Sequence, residues 1–253
     1  MLTAQPIEAV LFDMDGVLVN VSGSYRRAVQ ETVRAFTGTV VTPQDVQAYK
    51  DRGGYNNDWK LSHDMIRAAD VDASYAEVVR AFQQIYLGRR FEEGVFDGLI
   101  AEEPPLLDNA VLSNLAEHYL LAVVTGRPER DAAWTLARFG WTRFFPIVVG
   151  MDQQNGRGKP DPYGIDLAMA QLRTEHNVAL PSHAALYIGD NGDDMRAARA
   201  AGLMAVGAVP PYLDFATHRT TLMAAGADVV LSHAADVATL LQSLAGPAVT
   251  RLA

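Results

Sequence analysis

Cysteine is absent from the 253 residues, which excludes disulfides, thiolate metal sites and a cysteine nucleophile and leaves any chemistry to other groups. Positive charge is scarce too: 21 Lys and Arg stand against 30 Asp and Glu, a formal net charge of −9 and a pI near 5.1. That balance argues against a general nucleic-acid or anionic-membrane surface, because both need clustered cations, but an acidic chain can still hold a cation. No apolar run approaches the roughly 20 residues that span a bilayer. Leu120 to Val124 and Pro146 to Val149 are strand-sized. The early run Ile7 to Phe12 contains Glu8 and ends at Asp13, unlike a signal peptide, so the expected location is the cytoplasm. The six histidines are far apart, and no G-x-x-x-x-G-K-[ST], G-x-G-x-x-G or H-E-x-x-H pattern occurs. Asn20-Val21-Ser22 matches a glycosylation acceptor and, without a secretion signal, is read as chance.

What is present describes a globular chain: 49% hydrophobic and 20% charged residues, long enough for one large domain or a core with an insertion. Short apolar runs recur at Ala9 to Phe12, Leu120 to Val124, Ile147 to Val149, Ala184 to Ile188, Met204 to Val206 and Val229 to Leu231. Bounded by polar or Gly/Pro residues, they read as buried parallel strands. Helical faces lie between the later ones, with Ala132, Leu136 and Phe139 after Pro128, and Ile165, Ala168, Met169 and Leu172 after Pro162. The expected fold is α/β, a doubly wound Rossmann-like parallel sheet.

Phe12 and Leu120 are much farther apart than one crossover helix requires, and the intervening pattern is helical. Tyr25, Val29, Val33 and Phe36 share one face, Val78, Phe82 and Ile85 another, and Thr42-Pro43 reads as an N-cap followed by proline at the first helical position. These features predict an all-helical cap domain over 20–97, inserted into a core made of 1–19 and 98–253.

Four strand ends carry the chemistry. The first is Asp13-Met14-Asp15-Gly16, with two carboxylates at the carboxyl edge of the sheet, where open α/β folds bind ligands. Thr125-Gly126-Arg127 follows the second strand and opens a helix, a setting suited to an anion. Lys159-Pro160-Asp161 places one lysine in a rigid segment, and Gly189-Asp190-Asn191-Gly192-Asp193-Asp194 places a carboxylate cluster at another helix start. Each alone has an ordinary structural explanation as a turn, cap or solvated loop. In this order, and with the helical insertion after the first, they resemble the haloacid dehalogenase-like superfamily of aspartate-nucleophile hydrolases, and the insertion resembles the C1-type cap of its phosphoglycolate phosphatase and β-phosphoglucomutase branch.

The resemblance implies that Asp13 attacks phosphorus to form an aspartyl-phosphate, and that Asp15 protonates the leaving oxygen and later deprotonates water, which agrees with the chemistry open to two carboxylates. It implies Mg²⁺ as cofactor, held by Asp13, the backbone carbonyl of Asp15, and Asp190. Asp194 is an additional ligand or a partner of the ligands, with Asp193 a less favoured candidate. Thr125 and the Gly126 amide are expected on phosphoryl oxygens, Arg127 joins the substrate-binding candidates, and Lys159 offsets the crowded charge.

In the cap, Arg52 to Lys60 holds two aromatics and two amides, more than a turn needs. Asn56, Asn57 and Trp59, with Arg26 after the first motif, are candidates for substrate contact; the alternative for Asn57 is a helix cap. The expected function is a Mg²⁺-dependent phosphatase acting on a small phosphorylated metabolite, without a nucleic-acid or membrane partner. A phosphomutase of the β-phosphoglucomutase type and a non-catalytic metabolite-binding protein are the alternatives. The substrate and the oligomeric state are not encoded in these motifs.

Overall fold

The computed structural model describes residues 6–55 and 57–245. They form two compact units, one from the described parts of Met1–Leu18 and Pro105–Ala253, the other Val19–Pro104. In the first unit the strands are β1 (Ala9–Phe12), β2 (Leu120–Val124), β3 (Ile147–Val149), β4 (Ala185–Gly189), β5 (Met204–Ala208) and β6 (Val229–Leu231). Among the described residues they make one sheet of order β3-β2-β1-β4-β5-β6, parallel throughout. The fold is thus a doubly wound α/β sheet. Its strand order reverses at β1, where Phe12 lies level with Val123 of β2 and Ile188 of β4. The carboxyl ends of β1, β2 and β4 therefore sit side by side at the switch point.

The second unit contains α1 (Tyr25–Thr37), α2 (Pro43–Asp51), α3 (Asp58–Ala68) and α4 (Tyr75–Tyr86). Their ends are set by local chemistry. Gly38, with φ of 72°, ends α1 in the left-handed conformation, Thr42 and Asp45 form a capping box with Pro43 at the start of α2, and Ser74 and Glu77 form another on α4. The buried face of α4 is Val78, Phe82 and Tyr86 rather than one ending at Ile85. Tyr86 is drawn in because its hydroxyl donates to Glu103 Oε1 at 3.1 Å, where the Ser24 hydroxyl also donates. That buried carboxylate, with the 3-10 turn Leu99–Glu102 before it, extends the helical unit to residue 104, beyond the 97 that periodicity suggests.

The remaining helices are α5 (Asn109–His118), α6 (Glu129–Arg138), α7 (Tyr163–His176), α8 (Gly192–Ala200), α9 (Phe215–Ala224) and α10 (Val237–Leu244). Ile165, Ala168, Met169 and Leu172 of α7 join Leu11, Val124, Tyr187 and Met195 in one buried cluster. Phe12 points to the other face of the sheet, its ring edge-on to Phe145 at 5.7 Å between centroids. Leu11→Ala in the central strand is expected to lower the unfolding free energy by about 2–5 kcal/mol, whereas Ser74→Ala costs only about 0.5–2 kcal/mol. Urea titrations of both variants test this ranking.

Candidate active site

The backbone N–H of Asp13 donates to the Ile188 carbonyl at 2.8 Å, carrying the β1–β4 register one residue past the strand. The chain then turns at Gly16, whose φ is +75°, and a Cβ there would overlap the Asp190 carboxylate. Glycine is required on both counts, and the loops after β1 and β4 touch as a result. After β4, Asn191 caps α8, accepting from the N–H groups of Asp193 and Asp194. Asp194 reciprocates, its Oδ2 accepting from the N–H groups of Asp190 and Asn191 at 3.1 Å each. This capping box turns Asp194 back under the strand ends, so that Asp13, Asp190 and Asp194 each place a carboxylate oxygen within 4.8 Å of the others. Asp193 turns instead to Arg196, at 2.6 Å.

Lys159 enters this cluster from the loop before α7 and is 7% exposed. Its Nζ lies 2.9 Å from Asp13 Oδ1 and 2.5 Å from Asp194 Oδ1, and donates to the Tyr187 hydroxyl at 2.9 Å. The Tyr187 hydroxyl in turn donates to the Val124 carbonyl at 2.9 Å. Asp15 is held from the other side by Arg127, whose Nε and Nη2 both lie 2.6 Å from its Oδ1. Thr125 is fully buried; its N–H donates to the Val149 carbonyl, its Oγ1 accepts from the Arg127 N–H, and its carbonyl accepts from Gln154 Nε2 at 2.8 Å. Gly126, beside it, is half-buried.

Burial is the largest influence on Asp13 and pushes its carboxyl well above the usual range; the Lys159 ammonium opposes this and the charges of Asp194, Asp15 and Asp190 add to it. Burial works against a charged Lys159 as well, yet Asp13 and Asp194 outweigh it and hold the ammonium well above its ordinary pKa. Around this point four carboxylates, of Asp13, Asp15, Asp190 and Asp194, face the cations of Lys159 and Arg127. With all four ionised, two negative charges would be left over in a set of hard oxygen donors, which fits a divalent cation such as Mg²⁺. Asp194 already spends both oxygens on Lys159 and backbone N–H groups.

The motif residues Asp13, Asp15, Thr125, Gly126, Arg127, Lys159, Asp190 and Asp194 thus all lie in the sheet unit. Arg127, a substrate-binding candidate, has its guanidinium without exposed surface and engaged with Asp15 and with Thr135 Oγ1, the latter at 3.1 Å. The cap candidates belong to the helical unit. Arg26 is buried and donates to Gln47 Oε1 at 2.6 Å. Asn57 caps α3, its Oδ1 accepting from the N–H groups of Trp59 and Lys60. Trp59 is half-buried, its indole N–H enclosed without a hydrogen-bond partner. Asn56 lies outside the described residues. Motif reading passed over Tyr187, Gln154, Thr135 and His218, whose Nε2 lies 2.6 Å from the Asp190 carbonyl. For Tyr187 there was a signal: a hydroxyl-bearing side chain in the middle of an otherwise aliphatic buried strand needs a polar partner.

Comparison with known proteins agrees with this geometry. The family model described as haloacid dehalogenase-like hydrolase matches residues 7–202. The chain belongs to that family. It is 36% identical over 214 residues to an imidazoleglycerol-phosphate dehydratase of Phytophthora nicotianae, a match covering 82% of this chain but only 44% of that protein. It is 29% identical over 245 residues to the N-acetylmuramic acid 6-phosphate phosphatase of Pseudomonas aeruginosa, covering 93% of this chain and 95% of that one. In fold it is similar to CbbY from Rhodobacter sphaeroides, solved in complex with phosphate, with a TM-score of 0.65, 24% identity and coverage of 91% and 96%.

Asp131, in the first turn of α6, is fully buried, and its Oδ2 has no hydrogen-bond partner. Burial raises its pKa to about 6, against the attraction of Arg130 and Arg127. The folded state therefore binds the proton more tightly than the unfolded chain, and this residue removes stability as pH rises from about 4 to about 6. Asp131→Asn abolishes that term. The unfolding free energy of the variant minus that of the wild type is expected to be about 2–3 kcal/mol larger at pH 8 than at pH 4. Denaturant titrations at the two pH values test it, and an unchanged difference refutes the assignment.

Proposed function

We propose that the protein is a divalent-cation-dependent phosphatase of small phosphorylated metabolites, working through an aspartyl-phosphate on Asp13. The observation that carries the reading is the convergence of Asp13, Asp190 and Asp194 on one point, with Lys159 bridging two of them and Asp15 fixed beside Asp13. Family membership and the phosphatase name of the Pseudomonas relative support it.

In the first step an oxygen of Asp13 attacks phosphorus, the bond from phosphorus to the leaving oxygen breaks, and Asp15 gives that oxygen its proton. In the second, water attacks the phosphoryl group, Asp15 takes the water proton, and the bond to Asp13 breaks, releasing inorganic phosphate and restoring the Asp13 carboxylate and the protonated Asp15. Lys159 balances charge on Asp13 and fixes its orientation; Thr125 and the Gly126 N–H receive phosphoryl oxygens. Asp13 and Asp190 are the side chains that would hold Mg²⁺, which, when bound, screens the repulsion between carboxylate and phosphate and favours the ionised nucleophile.

Phosphate release is the test, over a panel of sugar phosphates, phosphoglycolate, N-acetylmuramic acid 6-phosphate, nucleotides and amino-alcohol phosphates. Turnover of at least one ester is expected, abolished by EDTA and restored by Mg²⁺. Asp13→Asn is expected to fold and to lose at least about 10³-fold in kcat, because the amide does not attack phosphorus. A folded Asp13→Asn variant with wild-type turnover refutes the nucleophile. A blank panel refutes the phosphatase, and exchange between hexose phosphate isomers without net phosphate release replaces it with a phosphomutase.

A further inference from the structure

The two oxygens of Asp15 have different surroundings. Oδ1 is paired with both Nε and Nη2 of Arg127 at 2.6 Å. No described residue hydrogen-bonds Oδ2, and the Asp15 side chain is 27% exposed. The guanidinium has no freedom of its own. Its Nη1 donates to Thr135 Oγ1, which donates onward to the Asp131 carbonyl, while the Arg127 main chain is tied by its N–H to Thr125 Oγ1 and by its carbonyl to the N–H of Met151. A side chain so enclosed is not presented to an incoming phosphoryl group. It is built to hold a carboxylate.

Resting on the reading of Asp15 as acid and base, we infer that Arg127 is its positioning residue and selects which oxygen carries the proton. An oxygen that already accepts two charged N–H groups is a poor site for a proton, so a protonated Asp15 bears it on Oδ2. Arg127 Nε and Nη2 remain on Oδ1 in both protonation states, and the carboxyl plane does not have to rotate between donating to the leaving group and accepting from water. Two N–H groups of one guanidinium converge on Oδ1, whereas an ammonium would bring a single nitrogen to it.

The consequence is a dependence on the leaving group, which a purely structural role would not produce. Phenyl phosphate and p-nitrophenyl phosphate differ little in shape, but phenoxide needs the proton far more than p-nitrophenoxide does. For kcat/KM, which reports the step in which the leaving group departs, Arg127→Met is expected to lose roughly 10- to 100-fold more on phenyl phosphate than on p-nitrophenyl phosphate. Arg127→Lys is expected to lose less, in the same direction. Thr135→Val, which removes the Nη1 anchor along with the Thr135 hydroxyl's own bond to the Asp131 carbonyl, provides a milder version should the Arg127 variants fail to fold, and melting curves report which ones do. Asp15→Asn is the reference. If it discriminates between the two esters and the folded Arg127 and Thr135 variants lose equally on both, the positioning role is wrong while Asp15 remains the acid. If Asp15→Asn does not discriminate either, the acid assignment itself falls.

Discussion

Burying the ammonium of Lys159 between Asp13 and Asp194 is the constraint around which the sheet unit is arranged. Removing these charges from water costs several kcal/mol per ion, and the cost is recovered only if each remaining polar valence is met. The structure meets them with groups from separate strands. Tyr187 on β4 accepts from Nζ and donates to the Val124 carbonyl of β2, and Asp194 fills its second oxygen with N–H groups at the start of α8. The arrangement still carries more negative than positive charge. That excess is a poor device for stability, and it suits the cation and phosphate of the proposed function.

The two cations of the site are not interchangeable. Lys159 is a compact charge shared among two carboxylates and a hydroxyl, a role that needs no plane. Arg127 is a plane set by Thr135 and laid against one oxygen of Asp15, which makes the two carboxylates of the first motif chemically unequal although they stand two residues apart. One is committed to a buried charge cluster and the other sits on a partly exposed side chain held through a single oxygen. On the proposed mechanism, that difference of environment is what would give the same residue type two functions.

Family membership constrains the chemistry more tightly than the substrate. The described motif residues come from strand ends and from the loop before α7, and their proposed roles concern phosphate, cation and proton, which many phosphate esters share. The matched relatives carry names pointing to different small molecules, and the P. nicotianae protein is more than twice as long as the part this chain matches. What distinguishes one ester from another is the remainder of the molecule, for which the motifs have no code.

Much of the fold was legible because parallel strands buried on both faces must be continuous apolar runs, and the runs at Ala9, Leu120, Ile147, Met204 and Val229 became strands starting at those residues. Helix starts such as Thr42-Pro43 were legible for a similar reason, since capping acts over three or four residues. Asp13, Asp15, Lys159, Asp190 and Asp194 were legible as candidates because each follows a strand or opens a helix. The pairings were not. That Arg127 turns to Asp15 across 112 residues of chain, that Asn57 serves its own helix, that Asp194 rather than Asp193 faces Lys159, and that Tyr187 completes the Lys159 shell all depend on which side chains meet when strands distant in sequence become neighbours. Local pattern by itself determined the elements and the reactive residue types, because both are properties of a few adjacent residues; only the tertiary structure decided the partner of each charge, because a buried ion's partner is set by distance in space.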